Sequence, residues 1–223
     1  MQALEEKIKY SFKNRQLLTC ALTHPSYSAE KRVENNQRLE FLGDAVLEAV
    51  ISNYIFDNYP TLDEGKMTRL RASIVSEAPL FEAAKRIELF NYILLGSGES
   101  ASGGKNKPSV LSDAMEALFA AVYLDGGFEC AKDVILLCLK DVIDDPSLRP
   151  YDYKTELQEF LFADGEVKVE YITESVSQKG SEFLFVSRVF CNGRELGKGQ
   201  GTSKKRAEQD AAKNALVNQS IIT

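Results

Sequence analysis

Two pairs of acidic residues lie in the most apolar stretches of the chain. Glu40 and Asp44 are four residues apart within the segment NQRLEFLGDAVL, and Asp113 and Glu116 are three apart in a second apolar stretch. These spacings place the two acids of each pair on one face of a helix. Acids among apolar neighbours are costly unless something compensates their charge. The alternative interpretation is that all four are solvated acids on helix surfaces.

Convergence of the two pairs would favour a divalent cation. At an effective dielectric constant of about 20, two carboxylates ~5 Å apart repel each other by about 3 kcal/mol. Either some of them are protonated or a cation joins them. Oxygen ligands without histidine or thiolate are typical of Mg²⁺, with Mn²⁺ as a substitute. The four acids therefore predict metal-assisted hydrolysis of a phosphodiester, while their spacing leaves the substrate open.

Composition excludes several other kinds of site. His24 is the single histidine, which excludes multi-histidine metal centres, and we interpret it as a structural residue. The four cysteines form no CxxC pair, so we expect neither a zinc knuckle nor a disulfide framework. No apolar run approaches the ~18 residues that cross a bilayer. The first ten residues lack the pattern of a secretory signal, so we expect a cytoplasmic protein without membrane contact.

Helices are predicted throughout the first 143 residues to position these acids. A long helix over 35–57 carries the first pair, and a helix capped by Ser112 and running to about 124 carries the second. The segments 21–28 and 96–108 contain proline, serine or glycine and are predicted to be a break and a loop. The other predicted helices are 4–9, 14–22, 63–75, 77–86 and 128–143, and the buried stripe of the long helix is Leu39, Leu42, Val46, Ala49, Val50 and Tyr54.

A second domain is predicted after the polar segment 144–153, which contains two prolines. A short helix is followed by three strands, a hairpin turn at Asn192-Gly193 and an alanine-rich helix, in the order α-β-β-β-α. We place the two domains at 1–146 and 152–220. The predicted strands are 167–175, 183–191 and 194–201.

The charge of the chain is unevenly distributed. The net charge is −6, but the segment 188–206 holds six basic residues against Glu195 alone, a local charge of +5. Such a basic stripe indicates a surface that contacts nucleic acid, even within an acidic chain.

The sequence resembles bacterial ribonuclease III over nearly its whole length. The segments that carry the resemblance are ALTHPSY, NQRLEFLGDAVL, EGKMTRLRA, SDAMEALFAAVYLDGG, TELQEF and GKGQGTSKKRAEQDAAKNAL, in the order of that family. The resemblance implies a multidomain fold, with an all-α endonuclease domain followed by a small α+β double-stranded-RNA-binding domain. It also implies a Mg²⁺-dependent endoribonuclease that cleaves double-stranded RNA to 5′-phosphate and 3′-hydroxyl ends in rRNA and mRNA processing.

The resemblance assigns roles to the acids and implies a homodimer. Glu40, Asp44, Asp113 and Glu116 match the metal-binding carboxylates, with Asp44 and Glu116 as the catalytic pair. Glu64 matches an additional acid of the same valley, on the resemblance alone. The dimer forms through the long helix of the signature segment, where Phe41 matches an aromatic residue that inserts into the partner.

Double-stranded RNA exposes 2′-hydroxyls in a shallow minor groove, together with its phosphates. Thr155, Gln158 and Glu159 on the first helix of the second domain are the expected minor-groove contacts. Lys204 and Lys205 begin the last helix, where the helix dipole also favours phosphate. The expected partners are rRNA precursors and structured mRNA.

Two departures from the family pattern affect these expectations. Gln37 stands where the family often has an acid, and we expect altered RNA contact rather than lost activity. The loop 178–185 lacks the histidine that usually reaches the minor groove, with Ser181 nearest to its position. Two alternative functions remain at this point: a non-enzymatic RNA-binding scaffold, and a nuclease for single-stranded RNA or DNA.

Overall fold

The computed structural model describes residues 1–162, 167–179, 182–219 and 221. The chain forms two compact units, Met1–Pro150 and Tyr151–Thr223. The division falls within the polar segment 144–153. None of the described helices has both the length and the apolar character needed to cross a bilayer.

The first unit is built from helices. Its core lies between the two longest of them, where Leu47 and Ile51 pack in one fully buried cluster with Leu118, Phe119 and Ala121. The helices are α1 (Gln2–Ile8), α2 (Arg15–Ala21), α3 (Pro25–Lys31), α4 (Gln37–Asn58), α5 (Glu64–Val75), α6 (Glu77–Arg86), α7 (Ser97–Ala101) and α8 (Pro108–Asp144).

Two prolines open helices where the sequence predicted interruptions. The expected break at 21–28 is wrong in part, because Pro25 is the first residue of α3 and the half-buried His24 is its N-cap. The His24 Nδ1 accepts a hydrogen bond from the Ser26 backbone N–H at 3.2 Å. Proline is favourable at this position since its fixed φ suits the first turn and its missing N–H is not needed there. The structural interpretation of His24 agrees with this capping role.

The predicted loop 96–108 is more structured than its composition indicates. It contains α7 and a 3₁₀ turn at Gly104–Asn106, and α8 begins at Pro108 rather than after Ser112. The Ser112 hydroxyl donates to the Ser109 carbonyl at 3.0 Å instead of capping the helix. The predicted end near Gly126-Gly127 appears as a kink at Gly127, whose φ is 83°.

One residue of the predicted buried stripe of α4 is exposed, and three further aliphatic residues are buried. Ala49 is exposed, whereas Leu47, Ile51 and Ile55 add to the buried side of the helix. The helix packs against both α5 and α8, so its apolar face is wider than a single stripe.

The second unit has the predicted α-β-β-β-α order. Its antiparallel sheet, in the order β1-β2-β3, packs with the two helices around a core that includes Leu157, Val189 and Leu216. Asn192 and Gly193 form the hairpin turn with φ values of 48° and 81°, as in a type I′ turn. The elements are α9 (Tyr153–Phe162), β1 (Val169–Lys179), β2 (Glu182–Cys191), β3 (Arg194–Gly201) and α10 (Lys204–Asn218).

Helix α10 is fixed directly against β3. A Cβ added to Gly199 would lie 2.1 Å from the Ala211 backbone nitrogen, so only glycine allows this approach. The Asn214 side-chain amide donates to the Lys198 carbonyl at 2.8 Å. Asn218 makes the same kind of bond to the Leu196 carbonyl, and Asp210 accepts from the Gln200 N–H. These bonds satisfy backbone groups of an edge strand, which would otherwise be open to another strand.

Candidate active site

Three of the four predicted acids converge where α4 meets α8. Glu40, Asp113 and Glu116 can each offer a carboxylate oxygen, and these oxygens lie within 4.8 Å of one another. All three side chains are half-buried. The arrangement is a compact set of oxygen donors contributed by two helices far apart in sequence.

Gly43 allows this convergence. A Cβ at Gly43 would lie 1.9 Å from the Glu116 carbonyl oxygen and 2.4 Å from its carbonyl carbon. Real Cβ contacts are never so short, so the backbones of α4 and α8 touch because residue 43 has no side chain. Since Gly43 lies between Glu40 and Asp44, the closest approach of the helices coincides with the acidic cluster.

The cluster perturbs its own proton equilibria. Burial, followed by the charges of Asp44, Asp113 and Glu40, raises the pKa of Glu116 to about 7. Burial and the Asp113 charge also raise the pKa of Glu40. For Asp113, burial and the charge of Glu77 raise the pKa against an opposing influence of His24. Full ionisation of the three carboxylates at neutral pH is therefore unfavourable.

The other predicted acids occupy different positions. Asp44 is exposed and outside the group of three, although it is close enough to raise the pKa of Glu116. Glu64 is exposed at the start of α5 and lines a cavity of about 540 Å³ with Met67 and Arg71. Arg71 donates to the hydroxyl of Ser52, which also lines this cavity, at 2.9 Å. Within one chain, Glu64 therefore lines this cavity and is not a member of the group of three acids.

The predicted RNA contacts lie on the two helices of the second unit. Gln158 and Glu159 are exposed, and Thr155 is half-buried. Lys204 and Lys205 are exposed in the first turn of α10. The N-cap of this helix is Ser203, whose hydroxyl accepts from the Arg206 N–H at 3.2 Å. Ser181 lies outside the described residues, and Gln37 is exposed at the first turn of α4.

Comparison with known proteins supports both units. A family model of ribonuclease-III-like domains matches residues 14–143, and a model of the double-stranded RNA binding motif matches residues 153–218. The chain is 46% identical over 225 residues to ribonuclease 3 of Caldanaerobacter subterraneus subsp. tengcongensis, covering 98% of each protein. It belongs to the ribonuclease III family. The family resemblance, the fold class and the enzyme class predicted from the sequence, a ribonuclease, are thereby confirmed.

Other members of the ribonuclease III family show the same relationship. Ribonuclease 3 of Listeria monocytogenes is 42% identical over 219 residues, with 96% of each protein covered. A nuclease-domain structure of ribonuclease III from Campylobacter jejuni is 43% identical, with a TM-score of 0.60, and covers 63% of this chain and 96% of that one. That structure is described as having structural flexibility in a region involved in dimer formation.

The sequence patterns did not identify several residues that shape the candidate site. Gly43 gave a weak signal, as a glycine inside an apolar helix often marks close backbone approach. Glu77 and His24 act on Asp113 only through the tertiary fold, and no local pattern connects them.

Proposed function

We propose that this chain is a Mg²⁺-dependent endoribonuclease that cleaves double-stranded RNA, leaving 5′-phosphate and 3′-hydroxyl ends. Its role would be the processing of rRNA precursors and structured mRNA in the cytoplasm. The observation that carries the proposal is the convergence of three carboxylates in a chain that also has a double-stranded RNA binding motif.

The residues at the cluster fit a hard divalent cation. The donors are all carboxylate oxygens, the ligand type that Mg²⁺ and Mn²⁺ prefer. The raised pKa of Glu116 means that proton and cation compete for the same charge. Glu40, Asp113 and Glu116 would hold the ion, with Asp44 completing the set of four from its exposed position.

The proposed catalytic side chains belong to the first unit, and the proposed RNA contacts belong to the second. A divalent ion supplies Lewis acidity at the phosphate and lowers the pKa of water. Asp44 and Glu116 are the proposed catalytic pair, which orients the attacking water and the phosphate. The minor groove is contacted by Thr155, Gln158 and Glu159, and the phosphates are contacted by Lys204 and Lys205. These contacts hold the duplex in position and do not depend on its base sequence.

Labelled duplex RNA incubated with the full chain, with and without Mg²⁺, tests the proposal. We expect cleavage only with the metal, and products that can be ligated directly because they carry 5′-phosphate and 3′-hydroxyl ends. Competition by duplex RNA but not duplex DNA is expected. Binding without cleavage in Mg²⁺ or Mn²⁺ would contradict the proposal and favour the scaffold alternative.

Acid should stabilise the metal-free protein. A group whose pKa rises on folding contributes stability below its ordinary pKa, and that contribution is lost as the pH rises through the folded value. For Glu116 this window runs from 4.5 to about 7. We expect the thermal midpoint in EDTA to fall across this range, and added Mg²⁺ to remove the decline. Glu116→Gln should make the decline in EDTA smaller, with Glu40 and Asp113 leaving a remainder, and an unchanged decline in that variant would contradict the assignment.

We also propose that two copies of the chain pair through α4. Phe41 is 82% exposed, an unusual state for a large aromatic side chain. Ile55 and Phe56, in the far half of the same helix, line the 540 Å³ cavity together with Met67 of α5. An antiparallel pair of α4 helices would place Phe41 of each copy in this cavity of the other. Glu64 of one copy would then lie beside Glu40 and Asp44 of the other.

Phe41→Ala should weaken the dimer. Removing a central aromatic anchor costs at least about 2 kcal/mol, so the dissociation constant should rise at least about 30-fold. Sedimentation equilibrium of the full chain measures this. Phe160→Ala, on the 43% exposed Phe160 of α9, is the control and should leave the dimer intact. A monomeric wild-type chain, or an unaltered Phe41→Ala dimer, would contradict the pairing.

A further inference from the structure

A set of polar side chains joins the first turn of α9 to the second turn of α10. Asp152 precedes α9, and its carboxylate accepts from the Thr155 N–H at 3.2 Å and from the Thr155 hydroxyl at 2.8 Å. The Gln209 side-chain amide of α10 donates to the same carboxylate at 2.9 Å. The Gln209 amide oxygen accepts from the Lys154 N–H at 3.3 Å. Both the nitrogen and the oxygen of the Gln209 side-chain amide are therefore hydrogen-bonded to the start of α9.

A charged contact reinforces this junction. The Lys154 ammonium lies 2.6 Å from a Glu208 carboxylate oxygen and 4.4 Å from the centre of the Tyr171 ring. The other Glu208 oxygen accepts from the Thr173 hydroxyl of β1 at 3.3 Å. Lys154 is next to Thr155 in sequence, yet its ammonium group pairs with Glu208 within the unit and not with a phosphate.

The junction connects the two helices that carry the proposed RNA contacts. Thr155 is bonded to Asp152 itself, while Lys204 and Lys205 begin the helix that carries Gln209. A domain of this kind spans about 16 base pairs, contacting minor grooves and the phosphates between them. The duplex is rigid on this scale, so both groups can bind at once only if their separation is fixed.

We propose that Gln209 is a positioning residue for duplex binding, which holds Thr155 on α9 at a fixed separation from Lys204 and Lys205 on α10. This inference rests on the proposed function of those three residues. Gln209 itself contacts no RNA. The bond from the Thr155 hydroxyl to Asp152 also leaves that hydroxyl to accept, and a ribose 2′-hydroxyl can donate to it.

Binding of the full chain to duplexes of two lengths tests this role. The variant is Gln209→Ala, and all measurements are made in EDTA to prevent cleavage. A duplex of about 20 base pairs is longer than the span of about 16 and can engage both groups fully, whereas one of about 8 covers half of that span and cannot make all of the contacts at once. Asn214→Ala is the matched control, because it also removes an amide of α10, but one bonded to β3.

We expect Gln209→Ala to bind the long duplex about tenfold more weakly, because the two helices must then be held in place during binding without the free energy of one to two net hydrogen bonds. Affinity for the short duplex should stay unchanged, since each group remains intact. The slope of log Kd against log salt should also be unchanged, whereas Lys204→Ala and Lys205→Ala should each reduce it by about one. Asn214→Ala should match the wild type on both duplexes.

Several results would overturn the positioning role. Wild-type affinity of Gln209→Ala for the long duplex would do so, and so would equal weakening on both lengths, which indicates a general loss of folding. A reduced salt slope would make Gln209 a direct phosphate contact. If the lysine variants weaken binding while Gln209→Ala does not, only this inference fails. If the lysine variants also bind normally, the proposed RNA contacts fail with it.

Discussion

Glu116→Gln is expected to lower RNA cleavage by more than about 100-fold, because even residues that only orient the direct ligands of a metal contribute 10- to 100-fold. Glutamine keeps the shape of the side chain but removes the charge that the cation requires. Burial, and after it the charges of the neighbouring carboxylates, raise the pKa of Glu116 to about 7, so this carboxylate is favourable in its poorly solvated position only when a cation or a proton compensates its charge. Duplex binding should be retained, because the proposed RNA contacts lie in the second unit.

Cleavage of labelled duplex RNA and gel-shift binding of the same RNA measure the two effects separately. Glu129→Gln is the matched control on the same helix, since Glu129 is exposed and forms an ion pair with Lys132 at 3.6 Å. The control should cut and bind as the wild type does. Wild-type cleavage by Glu116→Gln would remove this residue from the mechanism.

Much of the fold follows from local sequence patterns whose predicted elements are also present in the packed structure. The periodicity of apolar residues predicted α5 and α6 within one or two residues of their observed limits. The Asn192-Gly193 turn fixed the hairpin between β2 and β3 because both residues adopt positive φ easily. Pro25 and Pro108 were misjudged, since proline opens a helix as readily as it interrupts one and only the following contacts decide.

The candidate site was predictable in its chemistry more than in its geometry. Helical spacing places each acid pair on one face, but no local rule states that the faces of α4 and α8 meet. That meeting depends on the backbone contact at Gly43, which is a property of two helices packed together. The position of Glu64 was not predictable either, because within a single chain this residue lines a cavity and is not part of the acidic cluster. The junction of Asp152 and Gln209 joins residues 57 positions apart, beyond any local pattern.

Gly43→Ala should therefore disable the site without touching an acid. The new methyl group would start 1.9 Å from the Glu116 carbonyl oxygen, and since that atom is backbone, the two helices must separate. Overpacking of this kind costs about 1–3 kcal/mol of stability. A misplacement of about 1 Å at a catalytic centre lowers the rate about 100-fold, so we expect at least that loss of cleavage.

Gly98→Ala provides the control for the Gly43 prediction, because a Cβ at Gly98 of α7 would meet nothing within 4 Å. That variant should cleave and melt as the wild type does. Circular dichroism and thermal unfolding establish that Gly43→Ala is folded, and calorimetric titration with Mg²⁺ then measures whether the carboxylates still bind the ion together. We expect a folded protein that binds duplex RNA normally but Mg²⁺ weakly. Normal cleavage by folded Gly43→Ala would show that the contact between α4 and α8 does not set the geometry of the acids.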